Sequence, residues 1–197
     1  MGSLDHLWAG WRSEFVSGGG SGAGGGAGSV ATGTGTGIGP GQDDQDDRGA
    51  PEQHCVFCAI LASNLPDEEL NIIWRHPGGR VIALLNAYPY TSGHLMAMPV
   101  RHVPELEDLE PEESAELWQT VAAGVRALKA AYKPDGINIG ANLGRAAGAG
   151  VPGHFHMHVL GRWVGDTNFM TAVADARVLP EPLGETAAKL RTGWPPG

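Results

Sequence analysis

From Arg80 the hydrophobic positions run almost unbroken through Val81-Ile-Ala-Leu-Leu85 to Asn86, the pattern of a buried strand. Ala87-Tyr-Pro-Tyr-Thr-Ser-Gly93 carries turn residues, and His94-Leu-Met-Ala-Met-Pro-Val100 reads as a second strand. The link between the two is short enough for antiparallel pairing. Pro111 to Tyr132 is the one long helix. Pro111 suits its first turn, Glu112 and Glu113 its positive end, and Lys129 and Lys133 its negative end. Leu117, Val121, Val125 and Leu128 form its apolar stripe. Asp135-Gly136 turns the chain into a third strand, Ile137–Ala141, and a glycine-rich piece from Gly144 leads into a fourth, Gly153–Arg162. Strand, strand, helix, strand, strand with short links predicts an α+β fold. It is an antiparallel sheet with one long helix rather than a doubly wound parallel sheet.

The first fifty residues pattern differently. Leu7, Trp8, Trp11 and Phe15 recur at roughly helical spacing between Leu4 and Phe15. Fourteen of the 31 glycines then fall between Gly18 and Gly49, among Ser, Ala and Thr. Such a stretch cannot bury enough apolar surface to offset its ordering entropy. Gly33-Thr-Gly-Thr-Gly37 is not read as a phosphate loop, because no strand precedes it and no helix follows. The expected division is an N-terminal amphipathic helix in residues 1–16, a disordered glycine-rich linker in 17–50, and one compact domain in 51–197.

Charge and composition narrow the function. Thirteen Lys+Arg against 22 Asp+Glu give a formal charge of −9, which argues against nucleic acid or an anionic membrane as partner. A phosphate compound in one local pocket remains compatible. Two cysteines build no disulfide framework, and no apolar run approaches the ~20 residues of a membrane span. The opening has neither a basic nor an apolar signal region, so a cytoplasmic protein is expected.

The chemistry concentrates in His154-Phe-His-Met-His-Val159. On a strand the three imidazoles share one face, and Phe155, Met157 and Val159 the other. A polar face whose histidines happen to match is a poor explanation of three in strict register beneath a glycine-rich loop. One ion held by all three fails on distance. Alternate residues are ~6.6 Å apart, so His154 and His158 are ~13 Å apart along the strand. Nucleophilic catalysis fits. A neutral imidazole attacks phosphorus when its other ring nitrogen donates to a fixed acceptor, while neighbouring donors hold the phosphate oxygens. The loop Asn142–Gly153 offers such donors in its backbone amides, Asn142 and Arg145.

These residues resemble the signature of the histidine triad family, three alternating His each followed by a hydrophobic residue. Leu85-Asn86, Ser92-Gly93-His94, Met98-Pro-Val-Arg-His102 and Gly161-Arg-Trp163 resemble its other landmarks in the same order. Leu7-Trp-Ala-Gly-Trp-Arg12 and Gly165–Met170 resemble the bacterial dinucleoside polyphosphate hydrolases and phosphorylases within it, related to the fragile-histidine-triad group. The resemblance implies His156 as nucleophile, His158 on a phosphate oxygen and His94 as buttress. It further implies Asn86 on the ribose, and Asn142 with the amides of Gly148, Ala149 and Gly150 on the phosphates. Trp163 is expected to stack on a second base, with a core role as its alternative. Many relatives carry Gln or Ser near Gly150, where this chain has only Gly, Ala, Val and Pro. That leaves water or inorganic phosphate open as acceptor.

Cys55-Val-Phe-Cys58 taken alone is ambiguous between a metal knuckle, a redox pair and core thiols. In zinc-containing members of the family the remaining ligands are the His after the second strand and the first His of the triad. The resemblance therefore implies structural Zn²⁺ on Cys55, Cys58, His102 and His154, with His54 left out. It also implies a homodimer, for which the long helix and Trp118 offer modest support. The expected function is cleavage of a dinucleoside polyphosphate such as diadenosine tetraphosphate through a covalent nucleotidyl-histidine. The alternatives are a nucleoside phosphoramidase and a nucleotide-binding adaptor with residual turnover.

Overall fold

The two adjacent apolar runs close into a hairpin at the centre of a five-stranded antiparallel sheet. The computed structural model describes residues 55–166 and 180–196. The expected N-terminal helix, the glycine linker, His54 and most of Gly165–Met170 lie outside them. In chain order the elements are α1 (Val56–Ala62), β1 (Ile72–Arg75), β2 (Val81–Leu85), β3 (Leu95–Pro99), α2 (Pro111–Tyr132), β4 (Gly136–Gly140), β5 (Met157–Arg162) and α3 (Leu183–Gly193). The strand order is β1-β2-β3-β5-β4. The α+β expectation holds, with β1, α1 and α3 added to it.

The sheet separates two apolar clusters. Val81, Leu85, Leu95, Ala97, Phe155, Met157 and Val159 pack with Leu117, Val121 and Leu128 of α2 and Ala187 and Leu190 of α3. Ile82, Leu84, Met96 and Met98 pack on the opposite face with Cys55 and Phe57, at the start of α1. Period-two alternation sends neighbouring residues to opposite faces. Both faces are covered, which explains the uninterrupted apolar sequence of β2 and β3.

The long helix has the bounds its sequence predicts. Glu110 caps its N-terminus in a reciprocal box with Glu113, Pro111 opens the first turn, and Lys133 ends it in the left-handed region at φ 47°. Glu113 is buried and doubly hydrogen-bonded by Arg101, Nε at 2.9 Å and Nη2 at 2.7 Å. That guanidinium holds the carboxyl below its ordinary range. The pair ties the start of α2 to the segment that follows β3.

Gly93 ends the β2–β3 turn at φ +81°, directly before His94. A Cβ there would stand 2.5 Å from Leu128 Cδ2 and 3.1 Å from the Tyr132 ring. Leu128 is fully buried, so moving its methyl aside means repacking the core. Gly93→Ala is therefore expected to destabilise by about 2–3 kcal/mol, combining positive-φ strain with overpacking. A lowered urea midpoint at unchanged slope checks it.

Candidate functional site

The chain reaches the histidines through a glycine-rich loop and only then joins the sheet. Phe155 donates its backbone N–H to the Val103 carbonyl at 2.6 Å, and the ladder with β3 begins at Met157. His154 and His156 thus lie just before β5 rather than within it, while the alternation is kept. Phe155, Met157 and Val159 face α2, and His154, His156 and His158 are all buried on the other side.

Each imidazole has a distinct environment. His156 Nδ1 is 2.8 Å from the His154 carbonyl oxygen. An oxygen acceptor requires a proton on that nitrogen, so in the neutral ring the lone pair is on Nε2. His158 Nδ1 lies 2.9 Å from His94 Nε2, and the His156 and His158 ring centres are 5.0 Å apart. Phe57, from the first turn of α1, sets its ring edgewise against His154 at 5.5 Å and His156 at 5.2 Å. The structure therefore brings His94, His156 and His158 together, and adds Phe57 to them.

His154 belongs to a second cluster. Its Nδ1 lies 3.4 Å from Cys55 Sγ and 3.6 Å from Cys58 Sγ, and His102 Nδ1 is 3.2 Å from Cys58 Sγ. All four ligand atoms fall within 4.8 Å of one another. A tetrahedral Zn²⁺, with bonds of ~2.3 Å to sulfur and ~2.1 Å to nitrogen, holds such S and N atoms about 3.6 Å apart. The donor set fits that ion in chemistry and in spacing. Cys55 caps α1 and Cys58 sits in its first turn, which puts both thiols on one side of the helix. The His154 Nε2–H donates to the Pro99 carbonyl at 2.9 Å, so the nitrogen turned to the thiols carries the lone pair. Burial pushes the pKa of this ring down to about 4, keeping it neutral.

The remaining predicted residues divide. Asn86 is buried between the hairpin and His94; its Oδ1 accepts the Tyr88 N–H at 2.9 Å. Asn142 Nδ2 donates to the Gly148 carbonyl at 3.3 Å and so closes the glycine loop. Two of the three amides expected to meet phosphate are engaged inside that loop. Gly148 N–H donates to the Arg145 carbonyl at 2.9 Å, and Ala149 N–H to the Gly144 carbonyl at 3.2 Å. The turn Arg145–Ala147 consumes them because it winds as a short 3₁₀ helix.

Trp163 is not brought to the imidazoles. Gly161 is the register partner of Ile137, which packs on the α2-side core, and a Cβ on Gly161 would point at the Trp163 ring, 2.9 Å away, and at Pro134. The indole lies on the helix side of β5, opposite the histidines, where it is partly buried. Trp118 is 55% exposed on the outer side of α2. The sequence reading missed Phe57 and the Pro99 carbonyl. The signal for Phe57 was its place between two metal-spaced cysteines, where a helix start puts it beneath the cluster.

Among the described residues no helix is long and apolar enough to cross a membrane. Residues 76–164 match the HIT domain. Over 130 residues the chain is 45% identical to a Mycobacterium tuberculosis protein named AP-4-A phosphorylase, a match spanning 66% of each chain. Over 109 residues it is 38% identical to an uncharacterized HIT-like protein of the same organism, spanning 54% of this chain and 69% of that one. The crystal structure of a zinc-bound histidine triad family protein from Mycobacterium smegmatis is similar, with a TM-score of 0.57 and 30% identity, covering 72% of this chain and 94% of that one. On these matches, the chain belongs to the histidine triad (HIT) family.

Proposed function

We propose that this protein cleaves dinucleoside polyphosphates such as diadenosine tetraphosphate at the α-phosphorus, with His156 as nucleophile and inorganic phosphate as the final acceptor. The observation that carries the reading is the His156 Nδ1 contact with the His154 carbonyl, which leaves the lone pair on Nε2 beside His158. The 45% identical relative named AP-4-A phosphorylase supports the substrate class and favours phosphate over water.

In the first displacement Nε2 of His156 bonds to the α-phosphorus while the bond from that phosphorus to the bridging oxygen breaks. From diadenosine tetraphosphate ATP leaves and an adenylyl group stays on His156. In the second, an oxygen of inorganic phosphate attacks the same phosphorus. The N–P bond breaks, Nε2 regains its lone pair, and ADP departs. His158 holds a phosphoryl oxygen through its Nε2 side, and His94 backs His158. Asn86 contacts the ribose, and Asn142 with the Gly150 amide contacts the phosphates. Gly148 and Ala149 are left the task of shaping the loop.

Zn²⁺ on Cys55, Cys58, His102 and His154 would be structural, since four protein ligands leave no open position for substrate. A homodimer accompanies this reading; the exposed Trp118 and the exposed edge strand β4 are the surfaces that support it.

Product identity tests the proposal. With phosphate, diadenosine tetraphosphate is expected to give equal amounts of ADP and ATP; without phosphate, turnover should fall sharply. AMP and ATP at the same rate in either condition would make it a hydrolase. No turnover in either would return the adaptor reading.

A further inference from the structure

Tyr90 makes two contacts that the catalytic reading does not use. Its backbone N–H points at His94 Nδ1, 3.2 Å away. Its ring tilts over His94 at 4.7 Å and 42°, and reaches His158 at 6.3 Å and 32°. Tyr90 is 36% exposed, at the border between the buried imidazoles and solvent.

We infer that Tyr90 is a positioning residue whose backbone amide sets the tautomers of His94 and His158 in series, keeping His158 a hydrogen-bond donor toward substrate. A peptide N–H only donates, so His94 Nδ1 must accept and carries no proton. The His94 proton is then on Nε2, which faces His158 Nδ1 at 2.9 Å; the Asn86 Nδ2 stands farther off, 3.5 Å from the same nitrogen, at the outer limit of a hydrogen bond. His158 Nδ1 must accept in its turn, and its own proton is left on Nε2. The opposite arrangement would set two N–H groups against each other at 3.2 Å between Tyr90 and His94, in a site where His94 is 1% exposed.

The amide is held by its turn. Pro89 restricts the backbone immediately before it. Asn86 N–H donates to the His94 carbonyl at 3.0 Å, and Asn86 Oδ1 accepts from Tyr88. Thr91 Oγ1 donates to the Gly161 carbonyl at 3.2 Å, and Ser92 Oγ accepts the Glu181 N–H at 3.0 Å. The turn is thus fastened to its own hairpin, to β5 and to the segment before α3. A peptide amide does not titrate in the working range, so this end of the chain of contacts stays a donor. The consequence is a fixed direction: His158 presents N–H, and never a lone pair, to a phosphoryl oxygen.

The inference deepens the proposed function and rests on it only for the words "toward substrate". Long-range ¹⁵N–¹H spectra of the full chain, labelled at histidine and assigned with His94→Gln and His158→Gln, read the tautomers with no substrate present. Both rings are expected to carry the proton on Nε2 with Nδ1 bare. Tyr90→Ala retains the amide and should retain both tautomers. Tyr90→Pro removes the N–H and should mix both, with kcat lowered at least about tenfold and KM changed less than about threefold. A proton on His158 Nδ1 in the unmodified protein would overturn the inference, even if Tyr90→Pro fails to fold. So would scrambled tautomers in Tyr90→Ala, or a folded Tyr90→Pro with both tautomers intact. The predicted tautomers in a protein that leaves diadenosine tetraphosphate uncut would support the inference and overturn the functional reading.

Discussion

His156→Ala is expected to lower kcat for diadenosine tetraphosphate cleavage on the order of 10⁴-fold or more, while nucleotide affinity stays within a few fold. The size of the effect follows from the neighbours. His154 turns its Nδ1 lone pair to the thiols of Cys55 and Cys58 and its Nε2–H to the Pro99 carbonyl. His158 turns Nδ1 to His94. Neither can swing a lone pair to phosphorus without breaking a buried contact, so no second imidazole replaces the first. Affinity should survive because the ribose and phosphate contacts are assigned to other side chains and amides. Single-turnover kinetics with isothermal titration of AMP separate the two quantities. A variant retaining near-normal rate would remove His156 from the chemistry.

Cys58→Ser is expected to release the bound metal and lower the Tm by about 10 °C. Metal analysis of the unmodified chain should give about one zinc per chain. The four ligands come from three places far apart in sequence: Cys55 and Cys58 at the start of α1, His102 after β3, and His154 before β5. One ion on these four residues would fasten α1 to the sheet, where Phe57 lies against two of the histidines. Loss of a ligand would free that attachment and leave a partly buried donor set without its charge balance. A cost of about 3 kcal/mol corresponds to about 10 °C in a domain of this size. The loss should also reach His156, the proposed nucleophile. His154 faces the cluster with its side chain and holds His156 with its carbonyl, so the variant should lose rate as well as stability. Zinc-free protein of unchanged Tm would return the cysteines to a simple core role.

The site was legible from sequence where side-chain type and spacing decide the geometry. Three histidines at alternate positions place themselves on one face whatever precedes them, and Pro111 with its acidic first turn marks α2 to the residue. The elements that escaped have weak local signals. β1 is only four residues long, follows Asn71 in the left-handed region at φ 58°, and carries a bulge. In α3 the buried positions are Thr186, Ala187 and Leu190, a stripe with one large apolar side chain, and its N-cap is Pro182 rather than a side-chain acceptor. Two site expectations depended on tertiary geometry. Which amides of the glycine loop remain for a ligand depends on how Arg145–Ala147 winds. Which side of the sheet Trp163 covers depends on the turn after β5, since Gly161 alone leaves space for the indole on the helix side. Tyr90 combines both cases: its turn is obvious in sequence, but the direction of its amide is not.

The stereochemical course at phosphorus tests the covalent histidine route most directly. The substrate is a diadenosine tetraphosphate analogue made chiral at the α-phosphorus with sulfur, turned over with inorganic phosphate. Each in-line displacement inverts the centre, so two displacements through His156 give ADP analogue with net retention. Net inversion would mean that phosphate attacks the substrate directly, and would contradict a nucleotidyl-histidine intermediate.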